Sequence, residues 1–259
     1  MSESIQNATD ITEVEGYGIS ENTNEYKNLN FIKALVGVII TPVETLRNIL
    51  HKPKVLAIFL VVALSQTVFL ALRFDLFSQY TKEKVRQAYN ILIEKGNLQV
   101  TQEQVNAAIE SSPVQSLISM PFGSLMVWVL VTLFIFAVVK LLRGKGTLKQ
   151  FFCLTGYAHA PYLLGYLIVG LMSLFTANLY IEASFTSLLF FIPEDINPFV
   201  KGFIKDIEIF TIWKYVIIAI GLGMISKLEK KVVYGAVIFV YVTALILSGI
   251  NQYMVSIYS

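Results

Sequence analysis

Cysteine, histidine and charge are all scarce in this chain. The single cysteine, Cys153, leaves no possibility of an intramolecular disulfide. The two histidines, His51 and His159, lie far apart in the sequence, so a four-ligand zinc site is effectively excluded and no cofactor is expected. Charged residues make up 15% of the 259 residues, against 55% hydrophobic ones, and the mean hydropathy is +0.65. A water-soluble domain of this size needs more charge to cover its surface, so the composition is that of a polytopic membrane protein. The net charge of +2 says little in such a protein and does not point to nucleic acid as a partner. The amino terminus has no basic start followed by a short apolar run, so no cleavable signal peptide is expected and the first span must direct insertion.

Residues 1–28 are polar, with Glu3, Asp10, Glu13, Glu15, Glu21 and Glu25 against Lys27 alone. Too little apolar surface is present to offset ordering, so a disordered acidic cytoplasmic tail is expected there. The rest of the chain, 29–259, reads as one membrane domain. Phe31, Ile32, Leu35, Val36 and Ile39 recur at helical spacing, and Thr41-Pro42-Val43-Glu44 then has the form of a helix start. Thr41 can cap, Pro42 suits the first helical position, and Glu44 stands where a capping box needs it. The second piece runs to about His51, and the two together read as an interfacial amphipathic element ahead of the first span.

Five apolar stretches are long enough to be read as spans, at about residues 55–72, 119–140, 154–178, 210–226 and 232–250. In the first, Ser65-Gln66-Thr67 is polar, and Gln66 should seek a hydrogen bond from a neighbouring helix. The insert 75–112 reads as a small helical hairpin: Thr81 as the cap of one helix, Thr101-Gln102-Glu103-Gln104 as a capping box for the next, and Ser111-Ser112-Pro113 as its stop. No charge occurs between Gln150 and Ile181, and Pro161 should bend the start of that third span. Residues 185–192 are apolar but too short to cross, so a re-entrant or surface-lying piece is expected.

Lys and Arg gather on alternate sides. Lys33, Arg47, Lys52 and Lys54 precede the first span; Lys140, Arg143, Lys145 and Lys149 separate the second from the third; Lys227, Lys230 and Lys231 separate the fourth from the fifth. The other loops are balanced or acidic, with Lys95, Glu182 and Glu194 among their charges. The positive-inside rule then places the amino terminus inside and the carboxyl terminus outside.

Chemical machinery is hard to find. Every carboxylate falls in a loop, tail or interfacial segment, whereas proton relays keep such groups at mid-membrane depth. Lys214, about a turn inside the outer end of span four, can snorkel toward Asp206 or Glu208. Arg143-Gly144-Lys145-Gly146-Thr147 lacks the Gly-Lys-Ser/Thr order of a phosphate-binding loop and reads as a basic turn touching anionic headgroups. His159 with Ser124 lacks any supporting third residue for a protease. Gly156, Ala158 and Ala160, and Ala219 with Gly223 beside Gly221, read as helix-packing positions.

Taken in order, Gly37, Thr41-Pro42-x-Glu44-Thr45, Gly144-Lys145-Gly146-Thr147-Leu148-Lys149-Gln150, Thr155-Gly156-Tyr157-Ala158 with Pro161, Phe210-Thr211-x-Trp213 and Ile220-Gly221-Leu222-Gly223 resemble the Yip domain family, the Ypt/Rab-GTPase-interacting proteins and their prokaryotic relatives. The resemblance covers roughly residues 30–250 and implies a cytoplasmic amino terminus, five spans and an all-α fold. It also makes Pro42, Glu44, Gly156, Tyr157, Pro161, Trp213, Gly221 and Gly223 the family-motif residues. Eukaryotic relatives bind prenylated small GTPases and oligomerise. This chain lacks an Asp-Leu-x-Gly-Pro element before the first span, so no GTPase is assigned to it, and its insert resembles prokaryotic members of the plasma membrane. The expected function is a non-enzymatic protein that organises or scaffolds partners, as a homo-oligomer or with other membrane proteins and lipids. The alternative is translocation of lipid or a small solute, with Gln66, His159, Pro161 and Lys214 lining a polar groove.

Overall fold

The computed structural model describes residues 29–94, 96, 101–181, 184–193 and 195–258, so the acidic 1–28 stretch, Lys95, Glu182 and Glu194 lie outside it. Helix is the regular structure of the described residues, beside one isolated bridge between Ser187 and Glu208. The first pair is α1 (Phe31–Ile40) and α2 (Pro42–His51). Asn30 starts α1 by accepting from the Ile32 amide at 3.3 Å. The capping box expected at Thr41 and Glu44 does not form: Thr41 makes no side-chain cap bond, and Glu44 is exposed. Its hydroxyl turns back instead to the Gly37 carbonyl at 3.4 Å and the Thr45 hydroxyl at 3.3 Å. The tight joint needs Gly37, because a Cβ there would lie 2.5 Å from Thr45 Oγ1.

Next comes α3 (Leu56–Leu72), which turns by 96° into α4 (Phe74–Glu94). Arg73 sits at the elbow, and its guanidinium donates to Ser173 Oγ at 2.7 Å and to Asp75 at 3.3 and 3.4 Å. Thr81 does not start a helix; it is buried midway along α4. The longest element, α5 (Gln102–Leu141), begins with the expected capping box, Thr101 accepting from the Gln104 amide and Gln104 from the Thr101 amide. Ser111-Ser112-Pro113 does not stop it. Pro113 removes the amide that would bond the Ile109 carbonyl, and the Ser112 hydroxyl donates to that carbonyl at 2.8 Å instead. The outer hairpin helix and the second apolar stretch are therefore one helix of 40 residues, about 60 Å long at 1.5 Å per residue.

The uncharged stretch forms α6 (Leu148–Tyr157) and α7 (Ala160–Thr176), separated at Ala158 and His159. Pro161 stands in the first turn of α7, just past this break, and the His159 amide turns onto the Gly156 carbonyl at 3.0 Å. Residues 185–192 form no α-helix; they hold the Ser187 bridge residue and a 3-10 turn, Leu188–Phe191. A helix absent from the sequence reading follows, α8 (Pro198–Lys205), started by the Asn197 side chain accepting from the Phe199 amide at 2.9 Å. The chain closes with α9 (Ile209–Ile225) and α10 (Lys230–Tyr258).

Among the described residues, three helical stretches are long and apolar enough to cross a membrane: Gln102–Leu141, Leu148–Thr176 and Lys230–Ile257. The bent pair α3–α4 makes a fourth if counted as one span, while α9 is shorter. The buried core gathers where α2, α3, α5, α6, α9 and α10 meet, around Leu46, Leu50, Ile58, Ile135, Phe151, Leu154, Ile218 and Leu222. Large apolar side chains such as Phe122, Met126, Leu130 and Ile238 point outward, as expected where the solvent is hydrocarbon.

Candidate functional site

The centre of the molecule is α6, held by close approach and by one buried polar network. The Trp128 indole donates to Thr155 Oγ1 at 3.0 Å, and Thr132 and Thr155 share a hydrogen bond of 2.7 Å. Thr132 also bonds the Trp128 carbonyl at 2.7 Å, and Thr155 the Phe151 carbonyl at 2.9 Å. Gly156 lets α3 and α5 come close: a Cβ there would lie 2.9 Å from Ile58 and 3.3 Å from Trp128. Gly221 does the same for α9, where a Cβ would lie 2.2 Å from Leu154. Tyr157 is buried, its ring tilted against Phe31 of α1 at 6.2 Å. Pro161 is buried just beyond.

Not every motif residue joins this centre. Gly223 is two residues from Gly221, yet a Cβ there would meet nothing within 4 Å. Trp213 is 37% exposed on the outer surface of α9. Pro42 and Glu44 start α2, which reaches the centre through its own buried face and through the Leu50 carbonyl, an acceptor for Gln150 at 3.2 Å. That Gln150 also completes a capping box with Thr147 at the start of α6. The Thr-x-x-Gln spacing is the local signal of this box.

The speculative polar groove is only partly assembled. Tyr162 is the shared neighbour of His159, whose ring lies 5.5 Å away, and of Lys214, whose ammonium stands 5.5 Å over the Tyr162 ring and 5.6 Å over that of Tyr215. The Tyr162 hydroxyl bonds Thr211 at 3.0 Å, Thr211 donates to Glu208 at 3.2 Å, and Thr186 donates to the same carboxylate at 2.7 Å. Lys214 thus rests on two aromatic faces, with no carboxylate within ion-pair distance among the described residues. Gln66 is half-buried on α3 and makes no hydrogen bond to a neighbouring helix among the described residues. The adjacent Thr67 hydroxyl is buried without a partner among the described residues. No group of three or more metal-ligating side chains comes together among the described residues.

Two larger spaces remain. One is an apolar groove of about 820 Å³ between α3 and α7, running from Phe31 to Arg73 past Leu60, Leu64, Val68, Leu167 and Leu171. Its floor is stiffened by Phe69 stacked on Tyr166 at 5.6 Å. The other is a mixed chamber of about 700 Å³ between α4 and the segment after α7, with Tyr80, Glu83, Lys84 and Lys201 in its wall. Sequence reading missed both, because each is made by elements about a hundred residues apart.

A family model, the Yip1 domain, matches residues 36–250 of the chain. No curated protein and no solved structure matches it.

Proposed function

The chain belongs to the Yip1 domain family, and from that premise we propose that it is a non-enzymatic integral membrane scaffold which docks partners along the α3–α7 groove, as a homo-oligomer or with other membrane proteins. In this reading the polypeptide crosses the bilayer five times, with the amino terminus inside and the carboxyl terminus outside, in a prokaryotic plasma membrane. The helices α1 and α2 lie at the inner interface. The helix α9 then makes the fourth crossing. Its 17 residues give about 25 Å against a hydrocarbon core of about 30 Å, a shortfall that local thinning accommodates.

The observation that carries the reading is the groove. It is open, it follows α3 for the helix's whole length, and its walls are apolar apart from Ser65 and the Arg73 elbow. A helix laid into the slot would cover these apolar walls.

Photo-crosslinkers placed singly at Leu64, Val68, Leu167 and Leu171 in intact membranes test this. One recurrent adduct, with a second copy or another membrane protein, is expected from all of them. Adducts with lipid alone, together with a monomer on native gels, overturn the proposal.

A further inference from the structure

At one end of the bundle, exposed basic side chains gather. There, the loop between α5 and α6 is fastened to the loop between α9 and α10: the Lys145 amide donates to the Ser226 carbonyl at 2.7 Å. Gly144 is buried in the joint, where a Cβ would lie 2.5 Å from Val139 and 3.0 Å from Leu228. Lys140 is spent inside the loop, its ammonium donating to the Gly146 carbonyl at 3.0 Å. Arg143 and Lys227, which follow the ends of α5 and α9, hold left-handed φ values of 63° and 54°. These bonds fix the backbone, so Arg143, Lys145, Lys149, Lys227, Lys230 and Lys231 project, exposed, from a formed platform and not from two separate loops. Glu229 is the one carboxylate in the two loops. Both α6 and α10 also begin at this end, adding the positive ends of their dipoles.

Greasy residues stand among the cations. Leu141 is 83% exposed, Leu142 42% and Leu148 39%. A face turned to bulk water or to a soluble acidic protein gains nothing from exposed leucines between its lysines. A face lying where acyl chains give way to phosphates satisfies both kinds of side chain at once.

We propose that the joined α5–α6 and α9–α10 loops form a binding surface for anionic phospholipid headgroups, with the six cations meeting lipid phosphates and Leu141, Leu142 and Leu148 entering the acyl region. The surface takes the membrane embedding proposed above as its premise and adds a lipid class to it. Bound lipid clamps the end of the molecule at which α2, α6 and α9 meet. The partner groove is a separate feature, so either can fail alone.

The test uses the full chain extracted from equimolar phosphatidylcholine and phosphatidylglycerol, with retained lipid identified by native mass spectrometry. Phosphatidylglycerol is expected to be retained preferentially, and increasingly less so as salt is raised. The triple variant R143Q/K145Q/K149Q is expected to bind it roughly a hundredfold more weakly, from roughly fivefold per basic residue near an anionic surface. Should that variant not fold, K227Q/K230Q/K231Q addresses the other half of the platform, and the salt titration of the unaltered protein needs no variant. K82Q/K84Q, at the opposite end, is expected to change nothing. Equal retention of the two lipids, indifference to salt, or an equal loss in K82Q/K84Q overturns the proposal. So does full displacement by soluble glycerophosphate, which would reveal an anion site in place of a lipid surface. None of these outcomes would alter the crosslinking result at the groove.

Discussion

At Gly221 a single hydrogen atom decides whether α6 and α9 can touch. An added methyl would sit 2.2 Å from Leu154 Cδ1, and Leu154 is itself fully buried, with nowhere to swing. Gly221→Ala is therefore expected to destabilise the protein by about 1–3 kcal/mol, the usual range for overpacking a core. Gly223→Ala, with open space around its Cβ, should stay within about 0.5 kcal/mol. Thermal unfolding in detergent distinguishes the two. Combining Gly221→Ala with Leu154→Ala should lose less than the sum of the single changes, because the second removes the obstacle to the first. Equal effects at 221 and 223 would refute the close approach. The same reasoning applies to the network beside it. Thr155→Val takes the acceptor from the buried Trp128 indole, for a loss of about 1–3 kcal/mol. Sequence alone singled out Gly156 and Gly221 as packing positions but not Thr155, since nothing local distinguishes a threonine that answers an indole 27 positions away.

Among the elements, the elbow between α3 and α4 has the clearest electrostatic signature. The Arg73 guanidinium, through its hydrogen bonds and then its charge, holds the Asp75 carboxyl below the usual carboxylate range. Because the folded value is the lower one, the contribution is present in full above the unfolded carboxylate value of about 3.9 and is lost as pH falls through the folded value. Asp75 is exposed, so the effect on acid unfolding is expected to be small. Arg73→Ala goes further, since it also leaves Ser173, buried on α7, without its charged donor; about 1–3 kcal/mol should go, at neutral pH as well as in acid. If the loss in Arg73→Ala appears only in acid, the bond to Ser173 carries no weight. A second joint belongs here too. Gly202 packs α8 against backbone, with its hypothetical Cβ 2.5 Å from the Ser248 carbonyl, and backbone cannot give way as a side-chain tip does. Gly202→Ala should release α8 from α10 and raise amide exchange across Pro198–Lys205 while the core helices keep their protection.

Element boundaries show which signals a sequence carries. Amphipathic spacing pointed to α1 and Pro42 marked the start of α2, because those signals are local. Pro113 misled, since whether a proline ends a helix depends on who takes the freed carbonyl, and Ser112 does so here. Thr81 misled for the converse reason: a threonine can cap, but this one is buried in mid-helix. The helix α8 went unread although Phe199, Val200, Phe203 and Ile204 recur at helical spacing behind an Asn-Pro start, because eight residues make too short a window to set it apart from the surrounding loop. The grooves were invisible on principle, being properties of pairs of helices and not of either sequence.

For the whole molecule, the folded arrangement gives the orientation argument a sharper form. Sequence only alternated basic and non-basic loops along the chain. The fold brings the end of α2, the α5–α6 loop and the α9–α10 loop into mutual contact at one end, through Gln150 with Leu50 and Lys145 with Ser226. The Arg73–Ser173 joint and the Thr186–Glu208 bond tie together the opposite end, near which Asp206 also lies. Charges so sorted make a polarity across the bundle, which the positive-inside rule converts into a direction. The helix α10 starts at the basic end and runs 29 residues, about 43 Å at 1.5 Å per residue, which is more than the hydrocarbon core of about 30 Å. Its carboxyl-terminal turns should therefore stand clear of the bilayer on the far side. A small protease-cleavable tag fused after the last residue is expected to be cut from outside intact cells, and one inserted at Gly146 only after lysis. Reversing the platform's charge by Arg143→Glu, Lys145→Glu and Lys149→Glu should weaken or invert that bias, since in the proposed topology these cations are the ones that favour the inside. A carboxyl-terminal tag protected in intact cells would mean that α10 does not cross, and the five-pass arrangement would fall with it.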